Sequence, residues 1–133
     1  MRRFPAGAIR DTDKDKIDPE GFESPIVMRR FCEFMDKHRI LSDGTIRGSD
    51  NWQKGMPIAQ YIKSLDRHVL EAKLWARGYG VSPRSKSDPQ DIEEVLCAIR
   101  FNVSGMLFEI LSQRYGRPSR PEGVRDSDDT GSS

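Results

Sequence analysis

The sequence lacks the features that mark secreted, metal-stapled or membrane-spanning proteins. Its 133 residues include two cysteines, Cys32 and Cys97, and neither belongs to a Cys-x-x-Cys pair or to a cysteine and histidine cluster. Each lies in an apolar helical pattern, which favours buried free thiols over a disulfide or a zinc site. No apolar run approaches the roughly 18 residues that cross a bilayer, and the first residues lack a signal-peptide core. We therefore expect a cytoplasmic protein that has no membrane partner.

An excess of one charge is also missing. Lys and Arg number 22 and Asp and Glu 21, which gives a formal net charge of +1. No field of one sign therefore draws the protein toward polymeric nucleic acid. Because the sequence has no convincing strand and no internal repeat, a single all-α domain is predicted.

Three segments carry the apolar periodicity of helices. The first, 24–38, begins with a Ser-Pro pair that supplies a cap and a proline at the first helical position. The second, 57–77, precedes Gly78, and the third, 88–115, precedes Gly116, so each is followed by a residue suited to end a helix. These three segments are the predicted main helices.

The remaining segments predict three domain parts. Residues 1–23 mix charges with Gly and Pro without helical or strand periodicity, which predicts an extended N-terminal arm. Residues 24–116 form the helical domain, and the composition of 117–133 predicts a disordered tail. The loop 40–56 is longer than a simple connection between helices requires, and it carries a tryptophan and a lysine, which indicates a functional role.

Two polar stripes lie between apolar faces on the second and third helices. The third helix carries Asp91, Glu94, Ala98, Asn102, Gly105 and Glu109. The second carries Gln60, Ser64, Arg67, His68, Glu71 and Trp75. Carboxylates in apolar surroundings are costly unless they meet cations, donors or a metal, so facing stripes would line a polar cavity. Partly solvated helix flanks, with Glu71 paired to Arg67, explain the same pattern.

Single residues in this pattern also have two interpretations. His68 alone is more often a hydrogen-bonded core histidine than a ligand. Asn102 points more clearly to a polar contact, because asparagine is a mediocre helix former. Trp52 is either a stacking face for a base or a loop anchor packed on the core.

Short motifs, taken in their order and spacing, carry a resemblance to a known family. They are GAIRD at Gly7–Asp11, NWQKGMP at Asn51–Pro57, SLDRH at Ser64–His68 and EEVLCAIRFNVSGMLFE at Glu93–Glu109. Over about residues 7–115 the chain resembles the phage-encoded dATP/dGTP diphosphohydrolases, which are related to the all-α MazG-like nucleoside triphosphate pyrophosphohydrolases. The resemblance implies a MazG-like helical bundle of three main helices, completed by oligomerisation into a dimer or tetramer.

The resemblance implies metal-dependent cleavage of a purine deoxynucleoside triphosphate, dGTP or dATP. Water would be the nucleophile, and the bond between the α and β phosphates would break. The products would be the monophosphate and pyrophosphate, and the cofactor would be Mg²⁺ or Mn²⁺. Such hard cations prefer carboxylate oxygens. Related enzymes use an acidic pair on each of two helices. This chain matches that scheme only in part, with Ser64, His68, Glu71, Asp91, Glu94 and Asn102.

The resemblance and the stripes together suggest roles for individual residues. Glu71 and Glu94 are expected to bind the metal, with Asp91 as a further ligand. One of these two glutamates, or His68, would orient the attacking water. The expected substrate-binding residues are Asn51, Trp52, Lys54, Arg67, Asn102 and Arg47. Cations in this set would neutralise phosphate oxygens, and the amide and indole would meet the base.

Two other functions are alternatives. The incomplete acidic set favours a catalytically weak nucleotide-binding protein. A helical protein-interaction protein of phage origin would instead use Leu70, Leu74 and the charged tail. The same two leucines lie opposite the main apolar stripe, and they predict self-association. If the chain is phage-encoded, its compartment would be the host cytoplasm.

Overall fold

The computed structural model describes residues 2–3, 7, 9–10, 16–81 and 90–124, excluding the side chains at positions 2, 3, 9, 10, 90 and 91. Helix predominates in this part of the chain, which confirms the predicted all-α class. The helices are α1 Pro19–Phe22, α2 Pro25–Lys37, a 3₁₀ helix Asn51–Lys54, α3 Ile58–Ala76 and α4 Gln90–Tyr115. The strands β1 Arg2–Arg3 and β2 Ile9–Arg10 form a two-residue antiparallel pair.

The three main helices begin and end close to where the sequence predicts. The Oγ of Ser24 accepts a hydrogen bond from the Val27 amide at 3.4 Å, so it caps α2 as expected. Gly78 follows α3 with a φ of 88°, and Gly116 follows α4 with a φ of 81°. Glycine adopts this left-handed conformation at little cost, which explains why both helices stop there. Residues 88 and 89, the predicted start of α4, lie outside the described residues.

The core lies where α4 meets α2 and α3. Phe34 of α2 is buried together with Cys97 and Ala98 of α4, and Phe31, Met35 and Phe101 pack around them. Tyr61 of α3 is fully buried. Because α4 contacts both other main helices, it fixes the positions of the polar side chains that they carry.

A short turn returns the chain from the end of α2 to the 3₁₀ helix. Ile40 and Ile46 form an isolated antiparallel bridge, and the Thr45 amide is bound by the Asp43 carboxylate at 2.9 Å. The Arg47 amide then donates to the Arg39 carbonyl at 2.9 Å. This pairing places the following residues beside the C-terminal end of α2.

The segments predicted as arm and tail make more contacts than expected. In the arm, Asp18 caps α1, and Glu23 pairs with Arg100 at 2.9 Å. In the tail, Arg117 and Arg120 bind carboxylates of the helical part. Composition alone does not reveal such ion pairs, and residues 4–6, 8, 11–15 and 125–133 lie outside the described residues.

α4 also exposes an apolar surface. Leu96, Val103, Leu107 and Ile110 are each about half exposed, and they lie on one side of the helix. Uninterrupted apolar runs are short here, but an 18-residue window within Ile92–Tyr115 has a mean hydropathy of 1.5. By length and composition alone the segment could cross a membrane, and core helices of soluble proteins pass the same test.

Candidate functional site

A cleft of about 700 Å³ lies between α2, the segment 47–56, α3 and α4. Its apolar and aromatic lining includes Phe34, Met35, Trp52, Tyr61, Val95, Ala98 and Phe101. Its polar lining is Lys37, His38, Arg39, Arg47, Ser49, Asn51, Lys54, Ser64, His68, Glu71, Glu94 and Asn102. Among the predicted site residues whose side chains the structure describes, all line this cleft except Arg67. The structure therefore gathers residues that are far apart in the sequence.

The two polar stripes meet at Asn102. This side chain is 2% exposed, and its Nδ2 donates to the Ala98 carbonyl at 2.8 Å and to the Ser64 Oγ at 3.3 Å. Ser64 belongs to α3 and Asn102 to α4, so the stripes face each other across the contact between these helices. The hydrogen bonds satisfy the buried amide and account for a mid-helix asparagine.

His68 and Glu71 form a hydrogen-bonded pair one turn apart on α3. The His68 Nδ1 lies 2.6 Å from the Glu71 Oε1, and about a third of each side chain is exposed. When His68 carries its proton on Nδ1, it donates to the carboxylate and leaves Nε2 as an acceptor. An imidazole that a carboxylate orients in this way is suited to accept a proton from water at Nε2.

Glu94 lies among basic side chains of α2 and of His38, the residue that follows this helix. Its Oε1 lies 3.0 Å from the Lys37 Nζ and 3.6 Å from an Arg30 guanidinium nitrogen, and its Oε2 lies 3.7 Å from the His38 Nε2. Burial by itself raises the pKa of Glu94, but the hydrogen bond and charge of Lys37, with Arg30 and His38, bring that pKa below its ordinary value. Glu94 is therefore a carboxylate at neutral pH.

The donors for a metal ion are only partly described. Glu71 and Glu94 both line the cleft. Asp91 belongs to α4, but the structure describes only its backbone and not its side chain. Among the described side chains, no group of three histidine, cysteine or acidic residues is placed to hold a metal. Binding of a metal by Glu71, Glu94 and Asp91 thus stays a prediction.

Basic side chains line the edge of the cleft that the segment 47–56 forms. An Arg47 guanidinium nitrogen donates to the His38 carbonyl at 2.7 Å, which holds that side chain beside α2. Within the described part of the chain, Lys54 has no ion pair and no hydrogen bond from its amine, so its charge is available to a ligand. With Lys37 and Arg39, these residues give the cleft a cationic edge.

Trp52 has two roles in the geometry. Its ring packs edge to face on Phe108, with centroids 4.9 Å apart, and on Phe101 at 6.3 Å. These contacts establish it as the anchor that holds the 3₁₀ helix on α4. Because the indole also lines the cleft, it adds aromatic surface there.

Arg67 lies outside the cleft, contrary to its predicted place in the site. Successive residues on a helix point about 100° apart, so a cleft-facing His68 turns its neighbour away. Arg67 is exposed on α3. Conversely, the sequence did not indicate Lys37 and His38, because the pattern of α2 does not show which end of α4 it meets.

Comparison with protein-family models, with curated proteins and with solved structures found no match to this chain. The resemblance to the MazG-like enzymes is neither supported nor opposed by these comparisons. The geometry of the cleft is therefore the main ground for a functional proposal.

Proposed function

We propose that the protein is a metal-dependent diphosphohydrolase that cleaves a purine deoxynucleoside triphosphate, dGTP or dATP, to the monophosphate and pyrophosphate. One observation carries the proposal. A single cleft combines an aromatic and apolar wall, a cationic edge and two carboxylates on facing helices. A nucleoside triphosphate has the complementary parts, which are a flat base, a polyanionic chain and a bond that water can attack.

The size of the cleft fits this class of ligand. Small-molecule sites commonly enclose about 300–1,000 Å³, and this cleft encloses about 700 Å³. Its basic lining residues, Lys37, Arg39, Arg47 and Lys54, outnumber its two glutamates. A local excess of positive charge in a nearly neutral chain favours a compact anion over a nucleic-acid polymer.

The residues of the cleft divide into binding and chemical roles. Trp52 and the amide of Asn51 would meet the base, while Lys54 and Arg47 would neutralise phosphate oxygens. Asn102, held by Ser64 and Ala98, would present a fixed polar surface to the substrate. Positioning and charge neutralisation supply most of the catalysis in phosphoryl chemistry, so these contacts matter for rate as well as for affinity.

Water activation is assigned to the pair on α3. Glu71 orients His68, and either group can take the proton of the attacking water. A Mg²⁺ or Mn²⁺ ion held by Glu71, Glu94 and Asp91 would neutralise developing charge on the phosphates. Lys37 helps to keep Glu94 ionised, and because Lys37 also lines the cleft, it would meet a phosphate oxygen there.

Oligomerisation into a MazG-like bundle, a dimer or a tetramer in the cytoplasm, is part of the proposal. The exposed apolar side of α4 supports it, because a helix that is apolar on two sides needs cover on both. Leu70 of α3 is also exposed, whereas Leu74 is half-buried. A second copy of the chain would cover these surfaces by a symmetric contact.

Nucleotide binding without turnover is a second candidate, and the engagement of Glu94 favours it. Its carboxylate is paired with Lys37 and Arg30, which compete with a metal for the same oxygens. A protein that uses this pairing permanently would retain the cleft and lose the metal. Such a protein would bind the nucleotide and release it unchanged.

Incubation with each deoxynucleotide and ribonucleotide triphosphate, in Mg²⁺ or Mn²⁺, tests the proposal when the products are identified by chromatography. We expect dGTP or dATP to give the monophosphate and pyrophosphate. A rise in melting temperature with nucleotide but no product would indicate the binding protein. If nucleotide causes no thermal shift and no product forms, both candidates are rejected.

A further inference from the structure

Two arginines that follow α4 bind carboxylates at the two ends of the loop 50–56, which contains the 3₁₀ helix. At one end, the Arg120 Nε lies 3.0 Å from one Asp50 oxygen, and a terminal nitrogen lies 3.2 Å from the other. At the other end, the two terminal nitrogens of Arg117 bind the two Glu109 oxygens at 3.2 and 2.8 Å. Both contacts are bidentate, the geometry in which arginine holds a carboxylate most firmly.

Glu109 connects Arg117 to the end of the loop. Its Oε1 accepts a hydrogen bond from the Met56 amide at 3.2 Å. A Cβ on Gly55 would lie 2.6 Å from both the Arg117 guanidinium and the Glu109 carboxylate, so the backbone passes directly over this ion pair. Gly55 has a φ of 97°, which also favours glycine. The loop end is thus held by charge, by a hydrogen bond and by close packing.

The loop has little stability of its own. A 3₁₀ helix of four residues has poor hydrogen-bond geometry and depends on its surroundings. Asp50 occupies its cap position, yet its side chain makes no capping bond, because both oxygens are engaged by Arg120. The Asp50 side chain is 18% exposed and that of Glu109 is 12% exposed. The arginine side chains are more open, with Arg120 38% and Arg117 47% exposed, so solvent screens both ion pairs in part.

We propose that Arg117 and Arg120 are positioning residues, which hold the loop 50–56 against α4 so that Asn51, Trp52 and Lys54 face the cleft. Neither arginine lines the cleft, so each acts through the loop. The proposal rests on the proposed function, in that the cleft is taken as the nucleotide site. It assigns the beginning of the predicted tail a role in ligand affinity.

The position of the loop can be measured without any ligand. The chain has two tryptophans, so Trp75→Phe leaves Trp52 as the single fluorophore. In that background we expect the Arg117→Ala, Arg120→Ala double variant to shift emission to longer wavelength and to increase acrylamide quenching. Arg114→Ala, in the last turn of α4 and stacked on Tyr115, is the matched control and should leave both unchanged. Unchanged emission and quenching in the double variant would overturn the proposal.

A charge exchange keeps the test valid if the double variant loses its helical signal. Arg120→Asp alone should expose Trp52, and adding Asp50→Arg should return its emission toward that of the parent. If emission is not restored when Asp50→Arg is added to Arg120→Asp, the ion pair does not set the loop position. Because the exchange keeps both charges, a general effect of net charge would not produce the recovery.

The effect on the ligand is measured with dGTP and Mn²⁺. In the double variant we expect KM to rise by about tenfold, as for loss of a charge-assisted contact, while kcat, to which the same loop contacts contribute, falls by a smaller factor. An unchanged KM together with an exposed Trp52 would overturn the link to affinity. If the wild-type chain neither binds nor cleaves dGTP or dATP but Trp52 responds as expected, the proposed function fails and the role in holding the loop stands.

Discussion

The ring of Tyr61 on α3 lies directly against Gly105 on α4, so closely that a Cβ at Gly105 would clash with the ring. Tyr61 is fully buried, and the atoms nearest to such a Cβ belong to its ring. We therefore expect Gly105→Ala to destabilise the protein by about 1–3 kcal/mol, even though alanine is the better helix former. Thermal melting followed by circular dichroism should show a loss of roughly 5–15 °C.

Gln113→Ala is the control for that substitution, because Gln113 is exposed on the same helix. It should leave the melting temperature nearly unchanged. A melting temperature of the Gly105 variant equal to or above that of the wild type would show that α3 and α4 do not pack in this way.

The Tyr61 hydroxyl is buried without a hydrogen-bond partner among the described residues. Burial, with a smaller contribution from the Glu109 charge, raises the pKa of this hydroxyl. A buried polar group without a partner costs free energy, so Tyr61→Phe should leave the free energy of unfolding unchanged or increase it. Urea denaturation measures this directly. A clear loss of stability would mean that the hydroxyl has a partner.

Stability should fall in acid through Glu109. The hydrogen bond from Arg117 lowers the pKa of Glu109, and the Met56 amide and the Arg117 charge act in the same direction. A carboxylate whose pKa is lowered by folding stabilises the protein above its unfolded pKa, and that contribution is lost as pH falls through the folded pKa. The difference in melting temperature between wild type and Glu109→Gln should therefore narrow from about pH 7 to about pH 3.

Glu122→Gln serves as the control for the acid experiment, because Glu122 is exposed and makes no ion pair within the described chain. Its difference from the wild type should be small at every pH. A gap for Glu109→Gln that stays constant across the range would contradict the role assigned to its charge.

Much of the helical framework could be predicted from the sequence because local signals determine it. Ser24 caps α2, and Gly78 and Gly116 follow α3 and α4 with the expected conformation. The spacing of His68 and Glu71 also places both on one side of α3. These features depend on a few neighbouring residues, which is why sequence patterns reveal them.

The rest of the site depends on contacts between distant segments. Lys37 meets Glu94 only because α2 packs across the start of α4, and no pattern within α2 specifies that crossing. Arg117 and Arg120 lie in a segment whose composition predicts disorder, but two carboxylates elsewhere in the chain hold them. Composition describes a segment in isolation and does not identify its partners.

Self-association is expected through the exposed side of α4. Light scattering at micromolar protein should give a multiple of the 15.2 kDa chain mass. Leu107→Glu with Ile110→Glu should reduce that mass to the mass of one chain. Leu107 and Ile110 are about half exposed, and glutamates at these positions would place charge in the contact. A comparison with Leu70→Glu shows whether α3 takes part.

A wild-type mass near 15.2 kDa would refute self-association under those conditions. A double variant that keeps the wild-type mass would instead place the contact elsewhere on the molecule. Activity measured on the same samples shows whether each chain completes its own cleft.

The initial rate of pyrophosphate release from dGTP and from dATP in Mn²⁺ tests the central claim most directly, when wild type is compared with Glu71→Gln and Glu94→Gln. Loss of one carboxylate charge should reduce the rate to the background of the assay while the far-UV helical signal stays unchanged. Asp66→Asn, an exposed change on α3 outside the cleft, should keep the wild-type rate. Pyrophosphate release at the wild-type rate in both glutamate variants, or no release by the wild type from either nucleotide, would contradict the account.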